Sequence, residues 1–104
     1  MDFAEPISDG KYTIYSKSGC PNCNRVKDLL KQKSLLFEQH NCDEYLLEAK
    51  EQFLTFIAGL AGKEWRTFPM VFGPSGNFIG GYTETKDLLE KRDVENQLEF
   101  TENF

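Results

Sequence analysis

The stretch Lys17-Ser18-Gly19-Cys20-Pro21-Asn22-Cys23 places two cysteines three positions apart, with a proline directly after the first. A strand-like run precedes it and a helix-like run follows it. Proline is favoured at the first position of a helix, where its missing N–H removes no hydrogen bond. Cys20 is therefore predicted to be the N-cap residue, facing the free N–H groups of Asn22 and Cys23. In a short, cytosolic-type chain of alternating strands and helices, this spacing predicts a redox-active pair.

The local chemistry favours the thiolate form of Cys20. A thiolate at the N-cap lies at the positive end of the helix dipole, which supplies at most about 2 kcal/mol. Each backbone hydrogen bond to a charged acceptor supplies roughly 1.5–3 kcal/mol. We therefore expect the N–H groups to lower the Cys20 pKa most, with the cation of Lys17 as a minor contributor. Cys23, in the first helical turn and facing inward, is the predicted resolving thiol.

Composition indicates one globular domain, predicted to span residues 1–104 with a leader at 1–10 and a tail at 99–104. Hydrophobic residues make up 39% of the chain and charged residues 28%, and this composition is typical of a globular protein and not of a disordered one. No apolar run approaches the roughly 20 residues that span a bilayer. A net charge of −5 without a basic cluster argues against nucleic acids and membranes as partners. We expect a monomer.

The cysteine count indicates the compartment. Three cysteines is an odd number, whereas a secreted disulfide framework normally uses an even one. The first residues are acidic and show no secretory signal. We therefore expect a reducing, cytoplasmic environment.

Hydrophobic patterns predict the order β-α-β-α-β-β-α, an α/β fold with a four-stranded mixed sheet and three helices on its faces. The strands are predicted at residues 11–16, 35–41, 68–72 and 77–79, and the helices at 21–34, 44–58 and from Thr83 or Thr85 onward. Asp43 is the predicted N-cap of the second helix. The first two strands should be parallel with a right-handed crossover, and the last two should form an antiparallel hairpin.

With that order, three motifs make the chain resemble a dithiol glutaredoxin. They are residues 16–23, the tripeptide Thr67-Phe68-Pro69, and the segment Ile79-Gly80-Gly81-Tyr82-Thr83-Glu84. The resemblance covers about residues 12–98. It implies a thioredoxin-like fold and the activity of a glutathione-dependent thiol–disulfide oxidoreductase. Cys20 would be the nucleophile and Cys23 the resolving thiol. Such an enzyme would serve electron transport and cell redox homeostasis. Its partners would be glutathione and disulfide-bonded or glutathionylated proteins, with ribonucleotide reductase as a family-level candidate.

The resemblance also implies where glutathione, the reductant, would bind. The implied contacts are Lys17 for the glycine carboxylate; Thr67, Phe68 and Pro69 for main-chain bonds to the cysteine moiety; and Gly81, Thr83 and Glu84 for the γ-glutamyl end. The family pattern further implies a cis bond before Pro69, which turns the Phe68 backbone toward the cysteines. The glycine pair Gly80-Gly81 has two interpretations, a tight turn or a close approach of the ligand backbone.

The chain departs from the usual family pattern at three places. Asn22 stands where an aromatic residue is common, and Phe68 replaces a more frequent valine. The loop at residues 62–66 is slightly long, and its Trp65 and Arg66 lie where glutathione or a protein partner could be contacted. These departures concern rate and substrate choice.

Metal binding is the alternative function. Cys20 and Cys23 with His40 and Cys42 supply a Cys3His ligand set, because two residues two apart on a strand share a face. An iron–sulfur carrier would instead use Cys20 and glutathione to hold a cluster between two chains. The structural interpretation makes His40 a surface or edge residue and Cys42 a small buried one. Since Pro21 suits the start of a helix better than a zinc knuckle, no metal is expected.

A thioredoxin-like reductase supplied by a flavoenzyme is a further alternative. Against it, no tryptophan precedes Cys20, and Thr83-Glu84 suits a γ-glutamyl group.

Overall fold

The computed structural model describes residues 2–7 and 9–102, with side chains up to residue 94. Its elements are β1 (Tyr12–Ser16), α1 (Pro21–Gln32), β2 (Phe37–Asn41), α2 (Asp43–Glu48), α3 (Lys50–Ala61), β3 (Met70–Phe72), β4 (Phe78–Gly80) and α4 (Tyr82–Glu102). The predicted α/β architecture around a four-stranded mixed sheet is confirmed.

The sheet has the strand order β2-β1-β3-β4. β1 and β2 are parallel, as expected of two strands joined through a helix, with Ile14 opposite Gln39. β3 runs antiparallel to β1 and to β4. All five residues of β1 are buried because strands flank it and helices cover both faces. The chain therefore leaves the centre of the sheet directly into the loop that carries Cys20.

Two hydrophobic clusters, one on each face of the sheet, form the core. Neighbouring residues of β1 belong to different clusters because side chains alternate along a strand. Ile14 packs with Val26 and Leu30 of α1 and Leu89 of α4. The opposite cluster comprises Tyr15, Cys42, Phe53, Leu54, Ile57, Met70 and Phe72.

The helix predicted over residues 44–58 is two helices, so the described part of the chain has four helices where three were predicted. The break is at Ala49, whose φ of −151° and ψ of 47° are not helical. α3 buries Phe53, Leu54 and Ile57, whereas α2 packs on the same core only through the partly buried Tyr45 and Leu46. The N-cap of α2 is Cys42, and the predicted cap, Asp43, is its first residue.

The last helix begins at Tyr82, not at Thr83 or Thr85. The Glu84 carboxylate accepts the N–H of Gly81 at 2.8 Å, and the Thr85 hydroxyl donates to the Gly81 carbonyl, so both side chains stabilise the first turn. α4 continues to Glu102 and includes most of the predicted tail, of which residues 103–104 lie outside the described residues. Within the described ranges, no helix is long and apolar enough to span a membrane.

The predicted leader, in its described part, packs against α2 and α3 and is hydrogen-bonded to β1; its residues 1 and 8 lie outside the described residues. Phe3 contacts the rings of Tyr45 and Phe53, with centroids 5.0 and 5.4 Å away. The Ala4 carbonyl accepts the Tyr15 hydroxyl at 2.6 Å, and the Ala4 N–H donates to the Tyr45 hydroxyl oxygen. This segment therefore contributes to the core.

The strands differ from the predicted ranges at their starts. β3 begins at Met70 and not at Phe68, because Pro69 has no N–H for the strand ladder. β2 begins two residues late, at Phe37, and β4 one residue late, at Phe78.

Candidate active site

Cys20 is the N-cap of α1, as predicted. Its backbone is extended (φ −114°, ψ 99°), and Pro21 follows in the first helical turn. The Cys20 sulfur accepts the N–H of Cys23 at 3.2 Å. Among the described contacts, the other predicted donor, Asn22 N–H, makes no bond to this sulfur. One backbone donor, and not two, therefore faces the sulfur.

The two cysteines form a disulfide, with Cα atoms 5.3 Å apart. Cys20 is 8% exposed, whereas Cys23 is 1% exposed. An incoming thiol or disulfide therefore reaches the Cys20 sulfur more easily than the Cys23 sulfur, and the attacking and resolving roles stay a prediction. The pair can accept and return two electrons without metal ligation.

A cleft of about 400 Å³ opens beside Cys20. Its lining residues are Lys17, Gly19, Cys20, Pro21, Asn22, Arg25 and Phe68. The Lys17 ammonium lies 5.7 Å from the centroid of the Phe68 ring, within range of a cation–π contact. The structure therefore brings together Lys17, Cys20 and Phe68 of the predicted site, and adds Asn22 and Arg25, which were not assigned to it.

The loop before Cys20 is held by the start of α2. Ser18 donates its N–H to one Asp43 carboxylate oxygen at 2.9 Å and its hydroxyl to the other. These hydrogen bonds hold the pKa of Asp43 below its usual value, and the nearby Lys17 cation adds to the effect. The sequence predicts Asp43 only as a helix cap, because nothing in the local pattern connects it to Ser18.

The predicted cis bond between Phe68 and Pro69 is present. The Phe68 ring stacks on Phe53, with centroids 6.3 Å apart and planes 10° apart, so the segment is anchored to α3. Thr67 is exposed and Pro69 is buried. A Cβ placed on Gly81 would lie 3.5 Å from the Pro69 carbonyl oxygen, so the second and third predicted motifs are adjacent.

The glycine pair has a structural role of its own. Gly80 has a φ of +135°, and a Cβ there would lie 2.8 Å from the Glu84 Cβ. Only glycine suits both conditions, which supports the tight-turn interpretation at this position. Thr83 and Glu84 are exposed on the first turn of α4, and one Glu84 oxygen is bonded to Gly81 N–H.

Trp65 and Arg66 do not line the cysteine cleft. Arg66 forms ion pairs with Glu51 at 3.0 Å and Glu64 at 3.6 Å, on the surface beside α3. The Arg66 hydrogen bond lowers the pKa of Glu51. Trp65 is half-buried and packs edge-to-face on Phe78, with centroids 5.2 Å apart. Arg66 is therefore paired with carboxylates, and the Trp65 ring is packed, while its Nε1 is buried without a hydrogen-bond partner among the described residues.

The described residues contain no preformed metal site of the Cys3His kind. Within residues 2–7 and 9–102, no group of three or more His, Cys, Asp or Glu side chains could hold a metal ion. Cys42 is fully buried, as expected, and its thiol donates to the His40 carbonyl. Burial raises the pKa of the Cys42 thiol to about 12, which keeps it neutral. His40 is half-buried and lies 5.3 Å from the Tyr15 ring centroid.

Comparisons with known proteins agree with this geometry. Residues 12–79 match the model of the Glutaredoxin family. The human protein "Glutaredoxin-2, mitochondrial" is 36% identical over 84 residues, which cover 81% of this chain and 48% of that protein. The chain thus spans about half the length of this relative.

Solved structures show the same thioredoxin-like fold. Glutaredoxin 1 from Francisella tularensis, complexed with cacodylate, superposes with a TM-score of 0.67 and 28% identity, over 78% of this chain and 93% of that chain. A buckwheat glutaredoxin–glutathione complex gives a TM-score of 0.64 and 26% identity, over 91% and 80%. The predicted fold class is confirmed.

Proposed function

The chain belongs to the glutaredoxin family, and from that premise we propose that it is a glutathione-dependent oxidoreductase reducing disulfides and glutathione mixed disulfides. Thiol–disulfide oxidoreductase chemistry follows from the family and from the close Cys20–Cys23 pair. The observation that carries the proposal is the Cys20 sulfur, which accepts a helix N-terminal N–H and borders an open cleft.

The reaction consists of two exchanges at Cys20. In the reduced protein, the Cys20 thiolate attacks the glutathione sulfur of a mixed disulfide. A bond forms between Cys20 and glutathione, and the substrate sulfur leaves as a thiolate that takes a proton from water. A second glutathione thiolate then attacks the glutathione sulfur on Cys20. Glutathione disulfide forms, and the Cys20 thiolate is regenerated.

A protein disulfide is reduced by both cysteines. Cys20 attacks one substrate sulfur, and the other substrate sulfur leaves as a thiolate. Cys23 then attacks the Cys20 sulfur, which releases the substrate sulfur bound to it and forms the Cys20–Cys23 disulfide. The substrate gains two electrons and two protons, and the Cys20–Cys23 pair loses them. Two glutathione molecules reduce this disulfide again, which closes the cycle with glutathione disulfide as product.

Glutathione would lie in the cleft beside Cys20 and extend beyond it, past Phe68, to the start of α4. The Lys17 ammonium would meet the glycine carboxylate, and the backbone around Phe68 would pair with the cysteine moiety. The γ-glutamyl end would reach the first turn of α4 at Thr83. The second Glu84 oxygen, which is not the one bonded to Gly81, is an acceptor for its amino group. The buckwheat glutaredoxin, whose structure is a complex with glutathione, supports this choice of ligand.

We further propose that the partners are disulfide-bonded or glutathionylated proteins, with ribonucleotide reductase as a family-level candidate. We also propose that the protein is a monomer and that it acts in the cytoplasm. Sedimentation of the reduced chain tests the monomer. Localisation of the tagged full-length protein tests the compartment.

Two coupled assays test the central activity. The first supplies a glutathionylated peptide, glutathione, glutathione reductase and NADPH; the second supplies the same peptide with thioredoxin reductase and NADPH alone. We expect NADPH oxidation in the first assay only, and its loss in C20S. C42S is the matched control, because Cys42 is buried away from the cleft. Turnover in the second assay alone would contradict the proposal, and visible absorbance after anaerobic iron and sulfide reconstitution would favour the iron–sulfur alternative.

A further inference from the structure

Arg25 is held at the mouth of the cysteine cleft by Asn22. Its Nη1 donates to the Asn22 side-chain oxygen at 2.8 Å, one helical turn away on α1. Both residues line the cleft together with Cys20 and Pro21. An aromatic side chain, common at position 22 in the family pattern, has no amide oxygen for this bond. The bond that holds Arg25 therefore depends on the asparagine at position 22.

The cleft carries positive charge although the chain as a whole is acidic. The full sequence has a net charge of −5, yet the described residues that line the cleft include two cations and no carboxylate. The Lys17 charge is partly offset by the nearby Asp43 carboxylate. Arg25 bonds to a neutral amide, and among the described side chains it forms no ion pair within 4.0 Å. Its charge is therefore available to an incoming molecule.

We propose that Arg25, oriented by Asn22, is a specificity-determining residue that favours disulfide substrates with a carboxylate next to the reacting cysteine. The proposal rests on the function proposed above and names a substrate class for it. Opposite charges that meet at a solvated rim typically change an equilibrium or rate about two- to fivefold. The preference should fall with ionic strength because salt screens exposed charges.

The step that reports this preference is the reaction of the reduced cysteine pair with a peptide disulfide in the absence of glutathione. The substrate is a cysteine peptide in mixed disulfide with 2-mercaptoethanol, which is neutral. Cys20 attacks one sulfur and the other partner leaves; Cys23 then attacks the Cys20 sulfur and releases the second partner. Two thiols are formed and the Cys20–Cys23 disulfide is regenerated, so atoms and electrons balance.

The experiment compares three peptides whose residues flanking cysteine are Asp, Asn or Lys. Pre-reduced protein is mixed with each peptide, and acid-quenched samples give the second-order rate constants. We expect the Asp peptide to react two- to fivefold faster than the Asn peptide, and the Lys peptide more slowly. R25Q should reduce the Asp-to-Asn ratio toward one, and R25K should retain most of it. N22A should give an intermediate ratio because Arg25 is then no longer held.

K31Q is the matched control, since it removes the same charge from an exposed position near the far end of α1. It should leave the wild-type ratio unchanged. Equal rates for the three peptides, or an unchanged ratio in R25Q, would overturn the assignment while leaving the oxidoreductase function intact. No reaction with any peptide would overturn both. Circular dichroism of each variant confirms that the comparison is made between folded proteins.

Discussion

The Asp43 carboxylate binds the N–H and the hydroxyl of Ser18, although the two residues are 25 positions apart. Ser18 lies in the loop that leads to Cys20, and Asp43 opens α2. A Cys42 N–H bond to the Ser16 carbonyl lies beside this contact. The start of α2 thus fixes the loop from the side opposite α1.

Replacing Asp43 by Asn should reduce stability in a pH-dependent way. Because Ser18 lowers the Asp43 pKa in the folded protein, the stabilisation is fully present above the unfolded-state pKa of about 3.9. It is lost as the pH falls through the folded-state value. Urea unfolding between pH 2.5 and 7 should show wild type more stable than D43N at neutral pH and the difference vanishing in acid. S18A should shrink the pH-dependent difference, and a difference independent of pH would contradict the assignment.

Cys20 in the reduced protein should titrate below a free thiol. The Cys23 N–H directed at its sulfur supplies roughly 1.5–3 kcal/mol to the thiolate. The pKa of Cys20 should therefore lie below that of a free thiol. The rate of iodoacetamide alkylation against pH gives the midpoint by mass spectrometry. Cys42 should not interfere, since burial raises its pKa to about 12, and a Cys20 midpoint near 8.5 would refute the prediction.

The two cysteines should respond differently to replacement by serine. C20S removes the accessible sulfur, so reduction of both a small disulfide and a glutathionylated peptide should fall at least a hundredfold. C23S leaves that sulfur and should retain substantial deglutathionylation, because a second glutathione can release Cys20. The measurement is the glutathione-coupled NADPH rate on each substrate. Equal losses in the two variants would contradict the roles assigned from their exposure of 8% and 1%.

The features that the sequence predicts well depend on residues that are close to one another along the chain. The N-cap position of Cys20 follows from Pro21, which comes directly after it, and from Cys23, three positions further on. Both residues lie within one helical turn of Cys20. The bond between Asp43 and Ser18 depends on how β1, β2 and α2 meet, which no local pattern contains. The Arg25 contact with Asn22 has the i, i+3 spacing that joins helical side chains, so that signal was present and was missed.

The first turn of α4 is a similar case. Glu84 lies three residues after Gly81, which is the spacing of a side chain that caps its own helix. That spacing could have placed the start of α4 at Tyr82. The break at Ala49 has no such signal, because alanine is the best helix former and nothing in the local sequence marks an end to the helix there.

Phe3 should contribute to stability although it lies in the predicted leader. It contacts the rings of Tyr45, Phe53 and Phe56, with centroids 5.0–5.4 Å away. A fully buried Phe→Ala change costs about 3–5 kcal/mol, so half-buried Phe3 should cost about 2 kcal/mol. Urea unfolding of F3A measures it. L47A is the control, since Leu47 is 84% exposed and its loss should change the free energy of unfolding by less than about 0.5 kcal/mol.

Two glycine-to-alanine changes should shift stability in opposite directions. Gly80 has a φ of +135° and no room beside the Glu84 Cβ, so G80A should lower the free energy of unfolding by about 1–3 kcal/mol. Gly59 lies on the exposed side of α3 with nothing within 4 Å of an added Cβ. G59A should therefore raise the free energy of unfolding by roughly 0.5–1 kcal/mol, the usual gain of alanine over glycine within a helix. Urea unfolding of both variants beside wild type makes the comparison, and a shift of the same sign in both would contradict the strained conformation assigned to Gly80.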